Sequence, residues 1–431
     1  MRSAVFSAED LTVETVQRGR WTPIVDGVSF SVARGEVIAL IGESGSGKTT
    51  LGLAALGYTK PGCRHAGGRA LLGKTDIFAL GSEQKRRLRG ARVAYLAQSA
   101  AAAFNPALTI GEQVIETAQI HRTMTRDQAR ERAQTLYRAL ELPDPEKIGR
   151  RYPHEVSGGQ LQRLMAAMAL CSGPELLVLD EPTTALDVTT QIEVLQAFKR
   201  VMREEGAAAI YITHDLALVA QIADHVVVLQ QGVVREEGPV KRIVEAPIHP
   251  YTRKLMDAVR LLGAEQRRPA EETPVLEIRN LTAGYGGAAG EPPRVTVLHD
   301  IDLAIGRGQT LGVIGESGCG KSTLARVVAG ALPPASGEIC LNGAPAPPMR
   351  RQRSRDQLRR AQFVFQMADT ALNPRHKIAE VLGRPLRLFH GLRGRAQRRR
   401  VAELLEFVEL PPEFAERYPP ELSGGEKQRV N

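Results

Sequence analysis

An α/β fold built twice in tandem is what this sequence predicts, and three observations carry the expectation. Apolar runs of strand length, VIALIG, LLVLDE, AAIYIT and HVVVLQ, alternate with longer segments such as TRDQARERAQTLYRALEL that have helical periodicity. Three long patterns occur twice in the same order: VIALIGESGSGKTTL around Lys48 returns as LGVIGESGCGKSTL around Lys321, AAAFNPALTIGEQV at Asn105 as ADTALNPRHKIAEV at Asn373, and RYPHEVSGGQLQR at Ser157 as RYPPELSGGEKQR at Ser423. The offsets are nearly constant, 273, 268 and 266 residues, which marks tandem domains. A length of 431 residues is ample for more than one sizeable core.

Taken in chain order, the first domain is expected over residues 1–262, a linker over 263–274, and the second domain over 275–431. The join falls in LLGAEQRRPAEETP, where apolar periodicity stops and Pro, Glu and Arg accumulate before the strand-like run VLEIRNL. In the first domain, Gly42, Glu43, Ser44, Gly45, Ser46, Gly47, Lys48 and Thr49 fit G-x4-G-K-[ST], follow an apolar strand and precede the helical TTLGLAAL beginning Thr49-Thr50. In the second, Gly315, Glu316, Ser317, Gly318, Cys319, Gly320, Lys321 and Ser322, followed by Thr323, repeat the strand, loop and helix order. Glycines at these positions let backbone N–H groups converge on phosphate oxygens at a helix N-terminus. Lys48 or Lys321 adds positive charge, and Thr49 or Ser322 offers a hydroxyl to Mg²⁺.

The run LLVL, residues 176–179, then sets Asp180 and Glu181 at the end of a buried strand, where adjacent acids are costly without a cation and solvent. A metal site resolves that cost, with Asp180 holding Mg²⁺ and Glu181 polarising the attacking water. The alternative is a strand-end pair that caps the next helix. Ser157, Gly158, Gly159 and Gln160 open the helix LQRLMAAMALC and offer a hydroxyl and free N–H groups to an anion. By itself SGG is also an ordinary helix cap, and His214 after the strand AAIYIT is also an ordinary structural histidine.

Composition bounds the partners. Hydrophobic residues at 43% and charged residues at 24% sit near globular averages of about 45–50% and 25%, which excludes a wholly disordered chain. Lys plus Arg total 57 against 48 acids, and the net charge of +9 suits RNA, a ribosome or an anionic membrane without choosing among them. Cys63, Cys171, Cys319 and Cys340 are widely spaced, with no CxxC or Cys/His ligand pattern, so neither a zinc site nor a disulfide framework is expected. No apolar run reaches the roughly 18 residues of a spanning helix, and the early acids in MRSAVFSAEDLTVE do not fit a signal peptide, so any membrane role is expected to come through partners.

Together these residues resemble the nucleotide-binding domains of ATP-binding cassette proteins over nearly the whole chain. The resemblance implies two P-loop NTPase domains, each a RecA-like core with β and helical subdomains, using ATP and Mg²⁺. It makes Val156 to Gln160 and Leu422 to Glu426, including Ser423, Gly424 and Gly425, signature motifs. Gln98 and Gln366 become Q-loop glutamines near the metal, Thr184 to Asp187 a D-loop, and His214 the switch histidine. The Asn-Pro of FNPALTIGEQV and LNPRHKI, the YPHE and YPPE before each signature, and HPYTRKL at 249–255 resemble the bacterial peptide, nickel and opine importer ATPases. In that family two cassettes meet head to tail. One complete site would join Gly42 to Thr49, Gln98, Asp180, Glu181 and His214 with Ser423 to Gly425; the other would pair Gly315 to Ser322 and Gln366 with Ser157 to Gly159.

The chain also departs from the family. Tyr285 sits where an aromatic ring stacks on adenine, yet its partner in the first half is Thr15, so the first site would use Trp21 or lack the stack. Val156 replaces the usual Leu, Glu426 the usual Gln, and the family's cysteine cluster after HPYT is absent. Counting from Ser157, Glu181 lies 24 residues on and His214 57 residues on, so counterparts belong near 447 and 480, past Asn431. The second domain is therefore expected to be incomplete and loosely folded, in a fragment or an interrupted gene. The implied function is the ATP-hydrolysing subunit of a bacterial importer for peptides, nickel, opines or glutathione. It would sit peripherally on the cytoplasmic face of the inner membrane with two permease subunits and, indirectly, a solute-binding protein. Two other readings stand beside it: a remnant that binds nucleotide without turnover, and a soluble twin-cassette translation factor, which the dozen-residue linker and HPYTRKL disfavour.

Overall fold

The computed structural model describes residues 4–17, 19–43, 45–183, 188–260, 274–286, 292–315, 318–365 and 368–431. The chain divides into two compact units, Met1–Glu265 and Gln266–Asn431. Of the expected linker, only residue 274 lies within the described residues.

The first unit has strands β1 (Ala4–Gln17), β2 (Arg20–Ala33), β3 (Val37–Ile41), β4 (Cys63–Leu72), β5 (Thr75–Asp76), β6 (Val93–Leu96), β7 (Leu176–Asp180), β8 (Ala208–Ile212), β9 (His225–Gln230) and β10 (Val233–Pro239). Its helices are α1 (Lys48–Ala54), α2 (Ser82–Leu88), α3 (Ala100–Ala103), α4 (Ile110–Ile120), α5 (Arg126–Ala139), α6 (Gly158–Leu170), α7 (Val188–Glu205), α8 (Leu216–Ile222), α9 (Val240–Glu245) and α10 (Pro250–Arg260). Strands β2-β1-β4-β5 form an antiparallel sheet. A second sheet runs β10-β9-β3-β8-β7-β6, parallel from β9 to β6 with β10 antiparallel at one edge.

Central strands of a parallel sheet are covered on both faces, which is why their sequences are continuous apolar runs. Strand β3 shows it: Val37, Ala39 and Ile41 point into a core with the helices α4 to α8, and Ile38 and Leu40 into a core with α1 and the antiparallel sheet. Because residues alternate in direction along a strand, one five-residue run closes both cores. The layering puts the C-terminal ends of β3, β7 and β8 side by side, where the phosphate loop, the acid pair and His214 emerge.

The second unit has β11 (Leu276–Tyr285), β12 (Val295–Ile305), β13 (Ser336–Leu341) and β14 (Ala344–Pro345) in an antiparallel sheet ordered β12-β11-β13-β14. Helix α11 (Lys321–Val328) packs on that sheet. Helices α12 (Arg355–Arg360), α13 (Ala368–Ala371), α14 (Ile378–His390), α15 (Gly394–Phe407) and α16 (Gly424–Val430) follow, and the last four surround a separate small core. The strand expected before the second phosphate loop is not formed: Leu311 to Gly315 has no regular structure. The physical reason is missing pairing, since β3 lies between β8 and β9 whereas no described segment of the second unit pairs with 311–315. Burial follows suit, with Ile314 94% exposed where its repeat partner Ile41 is fully buried.

Candidate functional site

The first phosphate loop leaves β3 through Gly42 and enters α1 at Lys48. Gly42, Gly45 and Gly47 have φ of 148°, 81° and 98°. At Gly42 a Cβ would strike the Leu229 carbonyl oxygen, and at Gly47 it would lie 2.7 Å from that of Ile24, so close backbone approach adds to the φ requirement. Lys48 is 8% exposed, and its ammonium donates to the Gly42 carbonyl at 2.8 Å, the Glu43 carbonyl at 2.7 Å and Ser46 Oγ at 3.3 Å. Burial lowers its pKa, while the charges of Glu181, Asp180 and Glu43 pull the other way.

Opposite the loop, β7 delivers Asp180 at its last residue. Thr49 Oγ1 donates to Asp180 Oδ1 at 3.3 Å, and the Tyr95 hydroxyl donates to Oδ2 at 2.9 Å. Burial raises the Asp180 pKa against the lowering effect of these hydroxyls, and the same burial raises that of Tyr95. Glu181 has a left-handed backbone, φ 47°, held by its N–H to the Ile212 carbonyl at 2.9 Å. Its two carboxylate oxygens are gripped separately: Gln98 Nε2 donates to Oε2 at 3.0 Å, and His214 Nδ1 lies 2.7 Å from Oε1. A cavity of about 360 Å³ is lined by Ile24, Gly45 to Thr50, Lys60, Glu181 and His214.

The structure thus brings Gly42, Glu43, Gly45, Ser46, Gly47, Lys48, Thr49, Gln98, Asp180, Glu181 and His214 together, with Thr50 on the cavity wall. Ser44 and the expected D-loop, 184–187, lie outside the described residues, as do Glu316, Ser317 and Gln366. Ser157, Gly158, Gly159 and Gln160 do not line this cavity. They open α6 in a capping box, with Ser157 Oγ accepting from Gln160 N at 3.3 Å and Gln160 Oε1 from Ser157 N at 3.1 Å. Ser423 and Glu426 cap α16 in the same way.

In the second unit Gly315, Gly318 and Gly320 repeat the positive φ values, 152°, 88° and 102°. Lys321 Nζ donates to the Gly315 carbonyl at 2.7 Å and lies 3.7 Å from Cys319 Sγ. Ser322 and Thr323 follow on α11, and the Tyr285 hydroxyl meets Thr323 Oγ1 at 3.1 Å and Arg326 Nη1 at 3.3 Å. Thr15 pairs with Thr22 across β1 and β2, and the Trp21 ring is covered by the Arg64 guanidinium at 4.1 Å. Among the described residues no group of three or more His, Cys, Asp or Glu side chains could hold a metal alone.

Three further residues at the site were not among the expected site residues. Tyr95 binds Asp180 from three residues before Gln98, Lys60 reaches the cavity from beyond α1, and Tyr251 of HPYT accepts the Glu43 backbone N–H at 3.0 Å. Only Tyr251 had a sequence signal, its place in HPYTRKL.

Comparison with known proteins bears on all of this. The ABC transporter family profile matches residues 25–184 and 298–431, and the profile of the oligopeptide/dipeptide transporter C-terminal region matches residues 235–284. The glutathione import ATP-binding protein GsiA of Shigella dysenteriae serotype 1 is 37% identical, over 99% of this chain and 74% of that protein. The protein of the same name from Escherichia coli gives the same identity and coverage. A solved structure of cbiO1 from Clostridium perfringens, part of the ABC transporter complex cbiONQ, is 24% identical with a TM-score of 0.51, covering 61% of this chain and 96% of that one, a likeness of fold.

Proposed function

The chain belongs to the ABC transporter family of ATPases, and on that footing we propose that it energises uptake of a peptide or glutathione-like solute, with Glu181 as the base of its first nucleotide site. ATP binding, an ATPase activity, an importer role and permease partners go with the family. The solute class is supported by the oligopeptide/dipeptide profile and by the name of the glutathione import relatives. A solute-binding protein and a peripheral place on the inner membrane are part of the proposal; among the described residues no helix is long and apolar enough to cross a membrane.

The observation that carries the chemistry is the double grip on Glu181 beside the Thr49, Asp180 and Tyr95 cluster. The loop N–H groups and Lys48 bind the β- and γ-phosphates, whose oxygens compete with the Gly42 and Glu43 carbonyls for the ammonium. Asp180 and Thr49 are a hard oxygen set, and a carboxylate whose burial disfavours its charge, held by the hydroxyls of Thr49 and Tyr95, fits Mg²⁺, which takes one or two carboxylates plus substrate phosphates. When bound, Mg²⁺ neutralises charge on the phosphates. Gln98 and His214 keep the Glu181 carboxylate turned toward the cavity, where it accepts a proton from water attacking the γ-phosphate.

Glu181→Gln is the test. It should leave MgATP affinity within about twofold, because the loop does the binding, and lower phosphate release by about 10²–10⁴-fold. Unchanged release in an active preparation removes Glu181 from the reaction.

A further inference from the structure

HPYTRKL serves in the sequence only as a mark of kinship, yet the structure ties it to the phosphate loop. Glu236 on β10, 8% exposed, accepts the backbone N–H of Ile248 at 3.0 Å and of His249 at 3.0 Å, and takes Arg242 Nη1 at 3.1 Å. His249 Nδ1 accepts Tyr251 N at 3.1 Å, and Pro250 opens α10, a position where a missing N–H loses nothing. The start of α10 is therefore fixed, and Tyr251, 7% exposed, can aim its hydroxyl only inward.

What it meets is one peptide group. The Gly42 carbonyl and the Glu43 N–H belong to the same planar unit. Lys48 holds its oxygen at 2.8 Å and the Tyr251 hydroxyl accepts from its nitrogen at 3.0 Å. The three N–H bonds of Lys48 already meet three oxygens, so reaching a phosphate costs it at least one of them, and the Tyr251 contact on the nitrogen side of that plane stands outside this exchange. Phenylalanine would fill the same buried volume, so the hydroxyl is what distinguishes the residue. On its other side α10 sends Tyr251 and Met256 into the core that contains Leu218, Val219 and Ile222 of α8, the helix capped by Asp215 directly after His214. One segment thus touches both the phosphate loop and the helix that follows the switch position.

We propose that Tyr251 is a positioning residue of the nucleotide site: it holds the Gly42–Glu43 peptide plane while Lys48 moves to phosphate, and so makes α10 sense nucleotide occupancy. This rests on the reading of residues 42–49 as a nucleotide site.

The experiment uses the full chain, with MgATP for turnover and MgADP for binding, in the unmutated protein, Tyr251→Phe and Lys48→Ala. Tyr251→Phe should raise KM for ATP about 3- to 10-fold, the range one net hydrogen bond supplies, with kcat changed less than about twofold. Hydrogen exchange should be slower at the amides of residues 252–256 with MgADP in the unmutated chain, and the slowing should vanish in Tyr251→Phe. A merely structural hydroxyl would lower the melting temperature without moving either readout. Unchanged KM with equal MgADP protection in both chains overturns the proposal. If Tyr251→Phe does not fold, the unmutated chain decides alone: no nucleotide-dependent slowing in 252–256 overturns it, and slowing supports it. Lys48→Ala separates the two readings, because nucleotide binding that survives it removes the site itself rather than the part assigned to Tyr251.

Discussion

Asp180 pays in stability for its function. Burial raises its pKa, so its anion is disfavoured in the folded chain relative to the unfolded one. The sign follows from linkage: this group's contribution is present in acid, below the unfolded value, and is lost as pH rises through the raised folded value. Asp180→Asn should therefore raise the melting temperature of the nucleotide-free protein at neutral pH by about 2–4 °C, the shift expected of ~1 kcal/mol in a domain of this size, while turnover collapses. A calorimetric scan at neutral and acid pH checks it, and equal pH dependence in the two proteins refutes it. At this scale much was legible: Lys48, Thr49, Asp180, Glu181 and His214 stand in motifs whose spacing demands their chemistry. Tyr95 was not, because its partner lies 85 residues away and only the pairing of β6 with β7 brings them together.

Elements were legible where a run decides its own burial. Strands β3, β7, β8 and β9 coincide with VIALI, LLVLD, AAIYI and HVVVLQ, and helix α5 lies within TRDQARERAQTLYRALEL. The long pair β1 and β2 was harder to see, since register shifts interrupt its alternation. Residues 311–314 show that an apolar run becomes a strand only with neighbours to bond, which the repeat in the sequence does not supply. Strand β3 supplies a test of close packing. Gly42→Ala forces a Cβ onto the β9 backbone at Leu229, so it should cost about 2–3 kcal/mol of stability in denaturant unfolding. Gly45→Ala, which meets nothing within 4 Å, should cost about 1–2 kcal/mol for its left-handed φ alone. Equal losses at the two sites contradict the packing argument.

For the whole molecule, burial separates the two units. The first encloses both faces of its parallel sheet, whereas in the second Leu311, Val313, Ile314, Val364 and Phe365 are exposed. Segments with few buried apolar contacts open at low free energy, and proteases read that opening. Limited trypsin treatment should degrade the second unit first and leave a resistant piece that ends near residue 260; equal resistance of the two units goes against the reading. The tandem repeat itself was legible from offsets of 273, 268 and 266 residues, but a repeat of sequence is not a repeat of burial: Leu96 is 1% exposed and Val364, its counterpart, 66%.

Those exposed apolar side chains also make contacts between molecules depend on temperature. Attraction between apolar surfaces weakens on cooling and strengthens as excluded salts such as sulfate are added. Leu311, Val313 and Ile314 lie close in sequence and Val364 and Phe365 are adjacent, each group with bulky side chains turned to water. Chains that meet through them form contacts that warmth and sulfate tighten and that cold loosens. Purification near 4 °C in chloride rather than sulfate is thus the regime in which this polypeptide stays dispersed.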